Sequence, residues 1–243
     1  MKVKIKLLTP VPRHSEFVQI THDAQKIEDI LNAKLTKLAI SLQKLERQDP
    51  YNMLIANDYR EKAATSIRRA VEQIYQLAGN YAADFTKKEY FTTGTDISAI
   101  ASLAEDYNSI FWGRLQRFTS DNSQANQVKP EFIIRMTTAS LTQETLRKAI
   151  IIKSQSILNP PIITTSAAEE EDDLIDVPAE LEQTPQVVYV WVTSQDDKVC
   201  RICSGFEGQA WPLDNADAIP DIPDDTHPNC RCIIQLSEAE SIT

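Results

Sequence analysis

The four cysteines of this chain fall close together near its C-terminal end, as Cys200-Arg-Ile-Cys203 and Cys230-Arg-Cys232. A His227-Pro-Asn run leads directly into the second pair. Thiolates and imidazoles are the donors that hold zinc. Two thiolates two residues apart can grip one side of a tetrahedral ion from a single tight turn. A second pair, brought from elsewhere in the chain, closes the shell. Cys200, Cys203, His227, Cys230 and Cys232 are thus five candidates for four places. The first choice is Cys200, Cys203, His227 and Cys230. Cys232 is the alternative to His227 or Cys230, because a Cys-x-Cys pair can also bridge into one site. A closed four-ligand shell has no position for water, so zinc here would be structural, not catalytic. Disulfides and packed free thiols are the competing fates of these residues.

Other residues invite a chemical reading and resist it. Asp196 and Asp197 stand just before the Cys-x2-Cys turn. Carboxylates so placed orient a metal site or accept backbone N–H groups more readily than they catalyse. Arg231, between two cysteines, suits pairing with a carboxylate. His14 and His22 lie far away in a region without cysteine, which argues against a Cys-His catalytic pair. Five glycines in 243 residues leave little material for phosphate loops, and neither G-x-x-x-x-G-K-[ST] nor G-x-G-x-x-G occurs. The expectation is a protein that is not an enzyme.

The elements that must position these residues change character along the chain. Residues 23–48 read as a helix, with Ile27, Leu31, Leu35, Leu38, Leu42 and Leu45 at helical spacing and Pro50 as its stop. A second helix is predicted to open at Asp58, with Glu61 completing a capping box, and to lead into an aromatic bend over Tyr81–Phe91. Its Arg68-Arg69 pair belongs on a solvated face. A third is predicted from Thr95 or Asp96, with Trp112 in the core. A fourth spans roughly 130–157, opened by Pro130 and restarted near Leu141. Ahead of them Lys2–Leu8 alternates lysine with apolar residues, the pattern of an exposed edge strand.

Prolines at 160 and 161 break the helical pattern, and the acidic run Glu169–Asp173 follows. Like-charge repulsion and the scarcity of large apolar side chains mark a linker. Val187-Val-Tyr-Val-Trp-Val192 is then a strongly β-forming run, and Cys232–Leu236 a second. The predicted fold is mainly α, with a small zinc-knuckle-like β module, α+β overall. The predicted domains are a helical body over 1–158 with its N-terminal strand, an acidic proline-containing linker over 159–185, and a Cys/His module over 186–243.

Composition narrows the function classes. At 42% hydrophobic and 25% charged residues the chain is ordinary globular material, not a disordered chain, collagen or a membrane channel. The net charge of −10 is unevenly spread: residues 166–243 hold 3 Lys+Arg against 18 Asp+Glu, residues 1–165 hold 22 against 17. Phosphate contact needs Lys and Arg, so any nucleic-acid contact is confined to the N-terminal body. No apolar run reaches membrane-span length, and the first ten residues lack the apolar stretch of a signal peptide. The expectation is a chain made in a reducing cytoplasm, with no membrane partner.

The run from Trp191 through Thr193, Asp196, Asp197, Cys200 and Cys203, then Gly208 and the terminal His227-Pro-Asn-Cys230-Arg-Cys232, resembles the C-terminal signature of the minor head, or head morphogenesis, family of tailed phages (Mu F-like). The similarity covers about 50 residues, Val190 to Leu236; the helical body carries no specific signature. Arg201 departs from the proline that the family often has after the first cysteine, and the acidic segment stands where a more continuous helix is expected. The resemblance implies a virion component of the phage head, associated with portal or inner capsid in assembly, DNA packaging or ejection. Its implied partners are portal and capsid proteins, with a homo-oligomer possible. The alternative is a cytosolic zinc-module adaptor, binding protein or nucleic acid without catalysis.

Overall fold

A computed structural model of the chain describes residues 4–7, 15–49, 53–88, 94–120, 130–158, 186–194, 199–221, 225–226 and 230–242. Four long helices come first after a short strand β1 (Lys4–Leu7): α1 (Ser15–Gln48), α2 (Met53–Thr86), α3 (Gly94–Ser120) and α4 (Pro130–Leu158). A small C-terminal unit follows, with β2 (Gln186–Val192), the one-turn helix α5 (Arg201–Ser204), β3 (Ala210–Pro212), a 3-10 turn (Leu213–Ala218) and β4 (Ile233–Ile242). The fold is mainly helical with a small antiparallel sheet.

Each helix follows from its apolar pattern, with informative departures at the ends. In α1 the buried residues Ile20, Ala24, Leu31, Leu35, Ala39 and Leu42 form one stripe. Ile20 carries that stripe upstream of the predicted start at residue 23, and the helix begins at Ser15. The expected capping box of α2 is not formed. Asp58 lies inside the helix and pairs with Lys62 at 2.5 Å, and the helix opens at Met53. The expected aromatic bend is also displaced, because buried Tyr81 and Ala82 prolong the stripe of Ile67, Val71, Ile74 and Ala78. The chain leaves α2 through Lys87 in the left-handed region (φ 54°), and the Lys88 N–H reaches back to the Ala83 carbonyl at 3.2 Å. That is a Schellman ending with lysine where glycine is usual.

α4 is the central helix. It packs on α1, α2, α3 and β4, and no restart occurs at Leu141. Pro130 sits at its first position, where a missing N–H costs nothing. It is buried on nearly every side, by Ile134, Leu146, Ala149 and Ile150 and also by Thr138, Thr142, Thr145, Arg147, Lys153 and Ser154. Its buried charges are paired: Lys153 meets Asp96, in the first turn of α3, at 2.5 Å, both side chains enclosed. The Tyr75 ring of α2 lies 5.8 Å from the same ammonium.

The sheet has the order β1-β4-β2-β3, antiparallel throughout. The predicted strand at Cys232–Leu236 is displaced to Ile233–Ile242, long enough to pair with β2 over Ile233–Ala239 and with β1 over Ala239–Ile242. The N-terminal strand therefore finds its partner inside the chain. Alternation along β2 sends Tyr189 and Trp191 into the same apolar core as Leu35, Ile67, Ile74, Leu146 and Ile150. Val188 and Val190 join Ala239 and Ala210 on the opposite face.

Polar ties fix the sheet to the helices. The Ser154 hydroxyl lies 2.9 Å from the Tyr189 hydroxyl, and the Leu236 N–H donates to the Tyr81 hydroxyl at 3.1 Å. Arg147, buried in α4, donates to the Pro220 carbonyl at 2.5 Å and to Asp221 Oδ1 at 2.7 Å. The predicted linker, 159–185, lies outside the described residues.

Candidate metal centre

The sulfur ligands arrive from two places in the C-terminal unit. The first is α5. Cys200 is its N-cap, in extended backbone (φ −75°, ψ 162°), and its Sγ accepts the Cys203 N–H at 3.3 Å. A single turn from a capping cysteine thus carries Cys203 inward, where it is buried, while Cys200 stays half-buried. The turn is anchored behind the pair. The Gly205 N–H reaches the Ile202 carbonyl, Phe206 N–H the Cys203 carbonyl, and Gly208 N–H the Trp191 carbonyl of β2 at 2.9 Å. Gly208 adopts φ 72°, a conformation that glycine takes without a Cβ penalty. The Thr193 N–H donates to Glu207 at 2.6 Å, a second tie between the loop and the end of β2.

The second place is the approach to β4. Cys230 and Cys232 are both buried and Arg231 between them is exposed, the period-two alternation of a strand beginning three residues early. Upstream, a turn brings Asp221 and Asp225 together, and the Asp221 N–H donates to Asp225 Oδ2 at 2.9 Å. Arg147 grips that turn through Asp221. Arg147 thus ties the helical body to Asp221 of the C-terminal unit.

The sulfurs of Cys203, Cys230 and Cys232 all lie within 4.8 Å of one another, and Cys203 and Cys230 are 3.5 Å apart. A tetrahedral shell of metal–sulfur bonds near 2.3 Å has S···S edges of about 3.8 Å, so the cluster has the dimensions of one face of such a shell. All four cysteines are free thiols. The donor set is soft, buried and free of competing carboxylate oxygens among the described residues, which suits zinc over calcium or magnesium.

The local electrostatics divide the four thiols, lowering two and raising two. The Cys230 thiol is pulled down to about 5, chiefly by the hydrogen bond from the Cys232 thiol. Cys232, giving that bond and buried beside it, is pushed far up. Burial pushes Cys203 up to about 12. The Cys203 N–H holds Cys200 below the ordinary thiol value. Without metal, one thiolate is thus shared by its neighbours; a cation would complete what that thiolate begins, releasing the remaining protons.

Of the predicted ligands, Cys203, Cys230 and Cys232 are brought together; Cys200 caps the turn that carries Cys203 and stands outside that cluster. His227, Asp196 and Asp197 lie outside the described residues, as does His14. His22 is exposed on α1, far along the chain from the cysteines. Arg68 is exposed and pairs with Glu72 at 3.1 Å on its own helix, and Trp112 is half-buried with its Nε1 donating to Asn108. Sequence reading missed Arg147. Its only signal is a lone arginine in a stretch whose neighbours Leu146, Ala149 and Ile150 are all core.

No helix among the described residues is long and apolar enough to cross a membrane. Comparisons of the chain with protein-family models, with curated proteins and with solved structures return no match.

Proposed function

We propose that this chain is a structural minor head protein of a tailed phage, acting at the portal or inner capsid in head assembly, packaging or ejection. The observation that carries the reading is the C-terminal signature itself. Three of its cysteines, Cys203, Cys230 and Cys232, converge on one buried cluster that shares the core of a helical bundle. A chain that spends its soft donors on a closed structural clip, with its bases on long helices, is suited to holding neighbours in place. The ion is zinc, its role is structural, and no residue is assigned to catalysis. The helical body supplies the docking surface for portal, capsid or further copies of the chain, and the strongly acidic C-terminal part discourages contact with packaged DNA.

The test is mass spectrometry of purified phage particles from the strain that encodes the chain. The reading predicts the chain inside the particle at low copy, retained with the portal after the capsid is dissociated. A chain found only in the soluble lysate, with no portal or capsid protein bound, overturns it in favour of a cytosolic adaptor.

A further inference from the structure

We infer that Cys200 is the fourth ligand, so that the ion is held by an all-thiolate shell of Cys200, Cys203, Cys230 and Cys232. The inference rests on the metal-clip reading above and departs from the spacing-based choice, which gave one place to His227. Three observations carry it.

The first is the shape of the cluster. Three buried sulfurs within 4.8 Å of one another make a triangle, and the fourth vertex of a tetrahedron stands over one of its faces. Cys200 is the half-buried member of the set, next to the buried three. Its sulfur stands outside the 4.8 Å triangle but on the turn that carries Cys203, so a small inward movement of that capping residue closes the shell. The second is the turn. Cys200 and Cys203 project from one helical turn, and the Cys200 sulfur already folds back to accept the Cys203 N–H at 3.3 Å. That contact brings the two sulfurs of the Cys-x2-Cys pair to the same end of α5. A metal-bound thiolate keeps such a bond and strengthens it, because the acceptor is charged.

The third is the placement of charge. Four thiolates around a divalent ion leave a net charge of −2, against −1 for three thiolates and an imidazole. Residues 166–243 contain only 3 Lys+Arg among 18 Asp+Glu, yet two of those three are Arg201 and Arg231. Each sits inside a cysteine pair, and both are exposed. Two cations carried on the ligand-bearing segments of an otherwise acidic module offset part of the charge of the more anionic shell.

The experiment is zinc-edge X-ray absorption on the full chain purified under reductant and loaded with one equivalent of zinc. The expected first shell is four sulfurs at about 2.3 Å with no nitrogen near 2.0–2.1 Å. His227→Ala is expected to leave that shell and the zinc stoichiometry unchanged, whereas Cys200→Ser loses one sulfur of the four. The wild-type spectrum alone decides the point should Cys200→Ser fail to fold. A nitrogen scatterer in the wild type that disappears in His227→Ala overturns the inference while leaving the metal clip standing. Folded wild type that takes up no zinc overturns both.

Discussion

At the scale of single residues, Cys203 connects the two ligand sources. It is buried, sits 3.5 Å from Cys230, and lies in the turn that Cys200 caps. Cys203→Ser should abolish the uptake of about one zinc per chain and lower the melting temperature, because metal affinity in a closed thiolate site is folding energy. Elemental analysis of wild type beside the variant checks this; equal zinc in both would remove Cys203 from the shell. Glu28 makes a separate point about protons. It is 7% exposed on α1, and burial raises its carboxyl above the ordinary 4.5. The native state therefore holds this proton more tightly than the unfolded chain does. Stability from Glu28 is fully present below pH 4.5 and is lost as pH rises through the raised native value. Glu28→Gln, which cannot ionise, should melt higher than wild type at pH 7 and alike at pH 4. Parallel melts at the two pH values read this directly, and a Gln variant less stable at pH 7 would contradict it.

At the scale of elements, the ends and the buried helix are most telling. α2 ends on Lys87 at φ 54°, where a Cβ is disfavoured by roughly 1–2 kcal/mol. Lys87→Gly relieves that cost and adds unfolded-chain entropy of about 0.4–1 kcal/mol. The net expectation is a gain of about 0.5–1 kcal/mol by urea denaturation, absent in Lys87→Ala. The Asp96–Lys153 pair pins the start of α3 to the far half of α4. Lys153→Met alone strands a buried carboxylate and should cost about 3–5 kcal/mol. Adding Asp96→Asn should recover a large part, and a double variant as damaged as the sum of the singles would exclude coupling. These elements also show how far the sequence could be read. The stripe of α1 was legible because one face is solvated, and Leu31, Leu35 and Leu42 stand out against charged neighbours. α4 was legible only as a helix. With Thr145, Lys153 and Ser154 buried beside Leu146 and Ile150, no apolar stripe marks its contacts, and the suspected break at Leu141 reflects that lack of contrast. The α2 start was misplaced because Asp58 and Glu61 have capping-box spacing, yet Asp58 serves Lys62 on an exposed face. The grouping of Cys230 and Cys232 on one side was already present in their separation by one residue. The link from Arg147 to Asp221 spans 74 positions and had no local signal.

At the scale of the whole molecule, the decisive feature is that the sheet and bundle do not have separate interiors. Tyr189, Trp191, Ile234 and Leu236 belong to the same apolar core as Ile67, Ile74 and Ile150, and Cys203, Cys230 and Cys232 lie within it. Strand β4, which begins immediately after Cys232, pairs with β2 on one side and with the N-terminal β1 on the other. Arg147, Ser154 and Tyr81 add polar bonds from two helices. Metal binding at the cysteines is therefore expected to stabilise the bundle as well as the small sheet, since a ligand that binds only the native state shifts the whole cooperative unit. The helical signal of far-ultraviolet dichroism is dominated by α1–α4. In a Trp112→Phe background, tryptophan fluorescence reports only Trp191 and Trp211, both at the sheet. Zinc-loaded protein should give one coincident melt by the two probes. Stripping the zinc with a chelator under reductant should lower both midpoints together, and cleavage between β1 and α1 by a dilute protease should become faster in the same sample. Loss of the fluorescence transition on chelation, with the helical melt unmoved, would mean that the shared core does not couple the two parts and that the clip serves the sheet alone.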